Sequence, residues 1–272
     1  MEKKFKLGVI GAGFMSSSII GGVLRSGFLT AEQILVSDVN EASLAKLSQN
    51  NVNTTIDNNL VVKSCEYVLF AVKPQSFEAV VSSLDDVNCE KYISIMAGVK
   101  KDRIKSALSN KKQPVKVARS MPNTPCSIGK GAVGLDLTDF ECETDRDFIQ
   151  GLFNSFARVS IVAEDKLNAV TGVSGSAPAY FYAFIKGIVD AGVKHGLAYE
   201  EALNLAVGTM IGSGEMILNN PDKSLGELIT AVCSKGGTTI EAIKTFNEAG
   251  LDKIIEKAID ACVKRSTELE NL

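Results

Sequence analysis

The sequence predicts an α/β domain built on a doubly wound parallel sheet, followed by an all-α domain. Two observations support this prediction. Up to residue 162, apolar runs of strand length alternate with segments of helical periodicity. From residue 163 onward, Ala, Gly and Ser become more frequent, turn signals become rare, and helical periodicity continues through the sequence. We therefore expect two domains, residues 1–162 and residues 163–272.

The first strand leads directly into a glycine-rich turn. A short apolar strand ends at Ile10 and is followed by Gly11-Ala12-Gly13 and by a helical pattern over 17–25. Glycines spaced G-x-G between a strand and a helix let the backbone approach a phosphate at the helix N-terminus. The turn therefore predicts a dinucleotide-binding (Rossmann) domain, although Ser16 replaces the third glycine of the G-x-G-x-x-G pattern.

The second strand ends in an acidic residue. Residues 33–37 read as a strand, and Asp38 follows it directly. In dinucleotide-binding domains, an acidic side chain at this point accepts a hydrogen bond from a ribose 2′-hydroxyl. Asp38 therefore strengthens the prediction of a bound dinucleotide.

The rest of the first half continues the alternation of strands and helices. Further helices are predicted over 41–49, 76–83, 101–108 and 145–156, and further strands over 67–72, 92–96, 115–119, 131–137 and 157–162, the last two at a sheet edge. Ligands of doubly wound sheets bind beyond the carboxyl ends of the strands. Four turns are therefore expected to converge there, namely Gly11-Ala12-Gly13, Asp38, Val72-Lys73-Pro74 and Ala97-Gly98.

The second half is predicted to be helical throughout. Its candidate helices cover 165–195, 199–219, 224–232, 239–249 and 252–269. Pro178 removes a backbone hydrogen bond, so it should kink or restart the first of these helices. Helices so apolar and so rich in small residues are seldom buried by one chain alone, and this favours an oligomer.

A second glycine-rich segment covers residues 233–241. Thr238 is followed three residues later by Glu241, which is the capping-box spacing, so Thr238 is predicted to be the N-cap of a helix. Gly236-Gly237 would then expose backbone N–H groups just before that helix. Such a helix end attracts anions, for example a small carboxylate. An ordinary glycine-linked helix start is the alternative interpretation.

Composition argues against several classes of protein. The formal net charge is −3 without a basic block, so we expect neither nucleic acid nor a membrane surface among the partners. No apolar run reaches the ~18 residues that cross a bilayer, and residues 1–4 lead into a strand, so we predict a cytoplasmic protein. Six widely spaced cysteines predict neither a metal site nor disulfides, and the single histidine, His195, gives little basis for histidine chemistry.

Taken together, these segments resemble the pyrroline-5-carboxylate reductase family over nearly the whole chain. The motifs occur in the order and spacing of the family, and the last two in the following list are specific to it. They are G-A-G-F-M at 11–15, A-V-K-P-Q at 71–75, A-G-V at 97–99, M-P-N-T-P at 121–125, V-T-G-V-S-G-S-A-P-A-Y at 170–180 and S-K-G-G-T-T-I at 234–240.

The resemblance implies a reaction and an assembly. The reaction is hydride transfer from NADPH or NADH to the ring C=N bond of 1-pyrroline-5-carboxylate, which yields L-proline. The assembly is a homodimer interlocked through the helical C-terminal dimerisation domain, or a higher assembly of such dimers.

The resemblance also assigns roles to individual residues. Cofactor contacts are implied for Gly11, Ala12, Gly13, Phe14, Met15, Ser37, Asp38, Asn58, Ala71, Val72, Lys73, Pro74, Ala97, Gly98 and Asn123. Contacts to the substrate are implied for Ser174, Gly175, Ser176, Ser234, Gly236, Gly237 and Thr238, and all of these except Ser234 are implied to hold its carboxylate. Thr239 matches the family threonine whose hydroxyl lies near the ring nitrogen, and is the implied catalytic residue. An imine nitrogen that gains a proton needs a well-placed hydroxyl or water rather than a strong base.

The chain departs from the family pattern at two positions beside the substrate segment. Lys235 stands where proline is usual, and Thr230 where an acidic residue is usual. These two departures leave open the alternative that the chain is a non-catalytic paralogue that binds a dinucleotide. A related two-domain hydroxyacid dehydrogenase is a further alternative, but it would need a lysine one helical stretch after its glycine-rich kink, and the first lysine after Gly175 is Lys186.

The cofactor preference is a separate expectation. Members of the family mostly favour NADPH, whereas a carboxylate at Asp38 would repel a 2′-phosphate. We therefore expect NADH to be used at least comparably with NADPH.

Overall fold

The structure, a computed structural model, describes residues 3–85, 89–109 and 114–270. Within these ranges the strands are β1 (Phe5–Ile10), β2 (Ile34–Ser37), β3 (Asn53–Thr55), β4 (Cys65–Phe70), β5 (Lys91–Ser94), β6 (Lys116–Pro122), β7 (Gly131–Asp136) and β8 (Ala157–Ile161). The helices are α1 (Phe14–Ser26), α2 (Glu41–Ser48), α3 (Asn58–Ser64), α4 (Phe77–Ser82), α5 (Lys101–Ser109), α6 (Glu143–Asn154), α7 (Leu167–Val170), α8 (Ala177–Lys194), α9 (Tyr199–Leu218), α10 (Leu225–Val232), α11 (Thr238–Glu248) and α12 (Leu251–Glu270).

The strands form one sheet in the order β3-β2-β1-β4-β5-β6-β7-β8. Neighbouring strands are parallel except for β6 and β7, which pair antiparallel. The order reverses between β1 and β4, as it does in doubly wound folds that bind ligands at this point. The predicted fold class is therefore confirmed, and β7 and β8 extend one end of the sheet as predicted.

Helices cover both faces of the sheet. Along β2, Ile34 and Val36 belong to one buried apolar cluster and Leu35 to another, as expected when successive side chains point to opposite faces. The first cluster includes residues of α1, α2 and α6, and the second includes residues of α3, α4 and α5. This two-sided burial explains why β1 from Leu7 and β4 from Tyr67 carry no charged side chain, whereas a strand buried on one face would alternate.

Some elements differ from their predicted form. β3 and α3 were not predicted, because β3 has only three residues and no apolar side chain, and α3 has only seven residues. The predicted helix over 165–195 consists of a short turn, α7, a π-helical turn (Thr171–Gly175) and α8. The helix restarts at Ala177 with Pro178 as its second residue, so the predicted restart is confirmed.

The chain packs into two compact units. The first contains the chain up to Pro178 and again from Cys262, and the second contains residues 179–261. The chain therefore returns to the first unit within α12. The domain boundary predicted after residue 162 follows composition rather than packing and stays a prediction. In the described ranges, no helix is both long and apolar enough to span a bilayer.

A buried arginine ties β6 to the end of α12. Arg119 is only 1% exposed, and its guanidinium donates to the carboxylates of Glu270 at 2.9 Å and Glu164 at 3.3 Å. Glu270 also accepts from the Asn168 amide at 3.0 Å. Burial alone would raise the pKa of Glu270, but the hydrogen bonds from Asn168 and Arg119 outweigh it, so this pKa lies below its usual value.

We expect Glu270→Gln to lower the free energy of unfolding at pH 7 by about 2 kcal/mol, because it leaves the buried Arg119 charge short of one carboxylate. A lowered carboxyl pKa stabilises the fold above the unfolded-state value, about 4.3, and this contribution disappears as the pH falls through the folded-state pKa. The difference between wild type and variant should therefore shrink at pH 3. Urea unfolding followed by circular dichroism at both pH values measures it.

Glu268→Gln is the matched control, since Glu268 lies on the same helix and its side chain is 47% exposed. It should change stability by less than about 0.5 kcal/mol. Equal losses in the two variants, or a Glu270→Gln loss that persists at pH 3, would show that the buried ion pair is not the cause.

Candidate functional site

A cleft of about 540 Å³ opens beyond the carboxyl ends of β1, β2 and β4, at the point where the strand order reverses. Eight residues predicted to contact a cofactor line it together. They are Gly11, Gly13, Ser37, Asp38, Asn58, Ala71, Val72 and Lys73. Three of the four turns expected to converge on this edge therefore do so in one cleft.

The turn after β1 depends on a close contact between two backbone segments. Gly11 has φ +106°, and a Cβ there would lie 2.7 Å from the carbonyl oxygen of Ala71. The Gly11 N–H donates to the Ser37 carbonyl at 2.8 Å, and the Ala71 N–H donates to the Ile10 carbonyl at 2.9 Å. Only glycine fits this position, and the turn holds the ends of β1, β2 and β4 against one another.

The N-terminus of α1 is built to receive an anion. Gly13 is the N-cap and has no side chain to satisfy the first N–H groups of the helix, and no acidic residue follows in the first turn. A Cβ at Gly13 would meet no atom within 4 Å, so the space before the helix is open. Unsatisfied N–H groups, the helix dipole and this free space fit a pyrophosphate.

Asp38 is fixed by backbone donors at the end of β2. Its carboxylate accepts from the Ala12 N–H at 2.6 Å and from the Asn40 N–H at 2.8 Å. Beside it, the buried Ser37 hydroxyl donates to the Asn58 side chain at 2.7 Å. Asp38 therefore holds a fixed negative charge in the wall of the cleft, where the ribose of a dinucleotide is expected.

Seven residues of the predicted cofactor set do not line this cleft. They are Ala12, Phe14, Met15, Pro74, Ala97, Gly98 and Asn123. Ala12 and Pro74 adjoin lining residues, and the Phe14 side chain is 65% exposed at the start of α1. Asn123 instead joins two segments, since its amide donates to the Ser174 carbonyl at 3.2 Å and accepts from the Ala132 N–H at 2.9 Å.

The sequence analysis missed six residues that line the cleft. They are Ile10, Val39, Ser76, Ala79, Val80 and Ser83. Four of these residues, at positions 76, 79, 80 and 83, follow the spacing of one face of a helix, and that spacing could have identified them. Val39 is 90% exposed directly after Asp38, and an apolar side chain left in water beside a ligand cleft is a second usable signal.

The segment around Ser174 contains a π-helical turn, a feature that is frequent at functional sites. The Ser174 hydroxyl donates to the Val170 carbonyl at 3.1 Å. The Ser176 N–H donates to the Thr171 carbonyl at 2.9 Å, and the Ser176 hydroxyl accepts from the Cys262 thiol at 3.4 Å. Of the two serines predicted to bind substrate, Ser174 therefore donates its hydroxyl proton to the backbone, whereas the Ser176 hydroxyl accepts a hydrogen bond.

In the second unit, the prediction of Thr238 as an N-cap is wrong. The N-cap of α11 is Gly237, and Thr238 is the first helical residue, without a side-chain cap. The cause lies one residue earlier, because Gly236 has φ +72° and turns the chain so that the extended Gly237 takes the cap position. The same sequence spacing does form a capping box at Ser224, which accepts from the Glu227 N–H at 3.2 Å.

Thr239 lines a cavity of about 860 Å³ that lies within the second unit. Its walls are mostly apolar and come from α9, α10 and α11, with Met216, Ile229 and Val232 among them. Several of these side chains are largely exposed, and Val232 is 66% exposed. An apolar surface of this kind is typical of a protein interface.

Comparisons with known proteins agree over the length of the chain. A family model described as pyrroline-5-carboxylate reductase dimerisation matches residues 164–269, and one described as NADP oxidoreductase, coenzyme F420-dependent, matches residues 6–98. The pyrroline-5-carboxylate reductase of Haemophilus influenzae is 37% identical over 266 residues, which cover 97% of each chain.

Two solved structures are similar over nearly their whole length. A pyrroline-5-carboxylate reductase from Coxiella burnetii has a TM-score of 0.89 at 29% identity, covering 98% of this chain and 99% of that chain. The Plasmodium falciparum pyrroline carboxylate reductase with NADP bound has a TM-score of 0.84 at 26% identity, covering 99% of this chain and 100% of that chain.

The fixed charge of Asp38 leads to a prediction about dinucleotide preference. We expect the wild-type protein to bind NADH at least as well as NADPH, since a 2′-phosphate would lie against the carboxylate. Asp38→Asn keeps an oxygen acceptor for the Ala12 N–H but removes the charge. It should shift the ratio of dissociation constants toward NADPH by roughly tenfold, measured by quenching of reduced-nicotinamide fluorescence.

Glu41→Gln removes an exposed carboxylate in the first turn of α2, outside the cleft, and serves as the control for net charge. It should leave the ratio unchanged. A wild-type preference for NADPH of about a hundredfold, which is more than 2 kcal/mol, would contradict this account of Asp38.

Proposed function

Because the chain belongs to the pyrroline-5-carboxylate reductase family, we propose that it reduces the ring C=N bond of 1-pyrroline-5-carboxylate to L-proline, the last step of proline biosynthesis. The observation that carries this proposal is the cleft at the carboxyl ends of β1, β2 and β4, where the glycine turn and the open N-terminus of α1 suit a dinucleotide. NADPH or NADH, when bound, supplies the hydride.

The first unit binds and orients the cofactor in this proposal. The backbone of Gly11 to Met15 holds the pyrophosphate, and Asp38 and Asn58 contact the adenosine ribose. Val72-Lys73-Pro74 and Ala97 flank the nicotinamide side. Such positioning contributes to catalysis because the hydride transfers only over a short and well-aligned distance.

The substrate is an anion with an imine nitrogen, and each of these features needs its own partner. In the first unit, Ser174, Gly175 and Ser176 are the proposed carboxylate contacts. In the second unit, the backbone at Gly236, Gly237 and Thr238 is proposed to contact the carboxylate, and Ser234 is a further proposed substrate contact. The ring carbon accepts the hydride while the ring nitrogen gains a proton, and the Thr239 hydroxyl hydrogen-bonds to that nitrogen as its charge changes. Water can deliver the proton itself, so no histidine or strong base is required.

The two alternatives are not favoured. The similarity to family members extends over nearly the whole chain. This chain lacks the lysine that a hydroxyacid dehydrogenase would need after the glycine-rich kink. The case for a non-catalytic paralogue rests only on Lys235 and Thr230. The assay that tests the proposal follows oxidation of NADH or NADPH by the purified protein with pyrroline-5-carboxylate. Absence of substrate-dependent oxidation with both cofactors would overturn it.

The family match includes a dimerisation domain, and we infer that the chain forms a homodimer or a higher assembly of dimers. Large apolar side chains of the second unit support this inference, since Leu205, Ile211 and Leu225 are each more than half exposed in the single chain. The expected cytoplasmic location, and the expectation that no nucleic acid is bound, stay predictions.

If these apolar faces are buried against a second copy, folding stability should depend on protein concentration. We expect the thermal midpoint to rise over a hundredfold increase in concentration, and sedimentation at micromolar concentration to show a dimer or a multiple of it. A monomer at all concentrations with a constant midpoint would contradict the inferred assembly.

The role of Thr239 can be tested by removing only its hydroxyl. Thr239→Val keeps the size and β-branching of the side chain, so it should mainly lower kcat, by roughly 10- to 1000-fold, and retain residual activity because water still supplies protons. Thr245→Val is the matched control on the same helix, since that exposed hydroxyl donates to the Glu241 carbonyl at 2.9 Å. Wild-type kcat in Thr239→Val would exclude the hydroxyl as the donor.

A further inference from the structure

One face of α12 presents a polar side chain every four residues. Cys262, Ser266 and Glu270 lie at this spacing, which places them on the same side of the helix. The Ser266 hydroxyl donates to the Asn168 side chain at 2.7 Å, and Glu270 accepts from the same Asn168 at 3.0 Å. This face of α12 therefore contacts residues 168–176 at several points within the first unit.

One of these contacts, between Cys262 and Ser176, involves a residue that is predicted to bind the substrate carboxylate. The Cys262 thiol donates to the Ser176 hydroxyl oxygen at an S–O distance of 3.4 Å, and both residues are half-buried. Ser176 lies just after the π-helical turn and immediately before the buried Ala177. Its backbone N–H donates to the Thr171 carbonyl, whereas its side chain is free of that bond and can rotate about χ1 and about the Cβ–O bond.

The two serines of this segment differ in what their hydroxyl protons can do. The Ser174 proton is used within the helix, because this hydroxyl donates to the Val170 carbonyl at 3.1 Å. The Ser176 oxygen instead accepts a hydrogen bond from Cys262, and no acceptor for its proton is found among the described residues. A hydroxyl that accepts on one side becomes a better donor on the other.

We propose that Cys262 is a positioning residue that orients the Ser176 hydroxyl so that its proton points to the substrate carboxylate. This inference rests on the proposed reduction of pyrroline-5-carboxylate. A thiol is a weak donor, so its contribution to stability is small. Its effect should be found in the binding of the carboxylate rather than in hydride transfer or in cofactor binding.

The test compares Cys262→Ala, which removes the donor, with Cys262→Ser, which keeps one, in steady-state assays with pyrroline-5-carboxylate. Cys262→Ala should raise KM for this substrate about 3- to 10-fold, with kcat and KM for the reduced nicotinamide within twofold of wild type. Cys262→Ser should restore most of the loss. Cys142→Ala, which removes an exposed thiol before α6, is the control and should match wild type.

A double variant makes the test specific for the contact. If Cys262 acts through Ser176, then Ser176→Ala combined with Cys262→Ala should raise KM no further than Ser176→Ala alone. Unchanged KM in Cys262→Ala, failure of Cys262→Ser to restore it, or additive effects in the double variant would overturn the inference while the wild type stays active. A wild type without substrate-dependent activity would overturn the proposed function and, with it, this inference.

Discussion

The contact between the backbone of Gly11 and the carbonyl of Ala71 is the constraint on which the dinucleotide cleft depends. With φ +106° and no Cβ, Gly11 lets β1 turn toward α1 while the chain after β4 passes directly beside it. Hydrogen bonds from Gly11 to Ser37 and from Ala71 to Ile10 then align three strand ends. Because these hydrogen bonds hold the strand ends together, Gly13 at the start of α1 and the carboxylate of Asp38 line one cleft.

A second, polar constraint completes the first unit. The guanidinium of Arg119 is buried in β6 and needs carboxylates, and Glu270 of α12 is one of its partners. Along the same face of α12, Ser266 and Cys262 contact Asn168 and Ser176. The stability of this packing and the position of Ser176, which is predicted to contact the substrate, therefore depend on the same helix.

Local sequence patterns were enough to predict some elements of the structure, but not those that depend on a neighbouring turn or on distant residues. Apolar runs and glycine spacing predicted β1, β4 and the turn at Gly11, because burial on both faces of a parallel sheet needs such runs. The spacing from Thr238 to Glu241 led to a wrong N-cap prediction. Ser224 and Glu227 have the same spacing and do form a capping box, and the turn at Gly236 distinguishes the two cases. The pair of Arg119 and Glu270 is separated by 151 residues, so no local pattern can reveal it.

The return of the chain through α12 has a consequence for biosynthesis. Domains generally begin to fold from the N-terminal side while the ribosome is still extending the chain. Glu270 is added 151 residues after Arg119, so β6 leaves the ribosome long before this carboxylate exists. The nascent sheet must therefore keep this guanidinium hydrated, or pair it with Glu164, until translation has passed α12. Closure of the first unit is in this sense a late event that follows synthesis of the whole second unit.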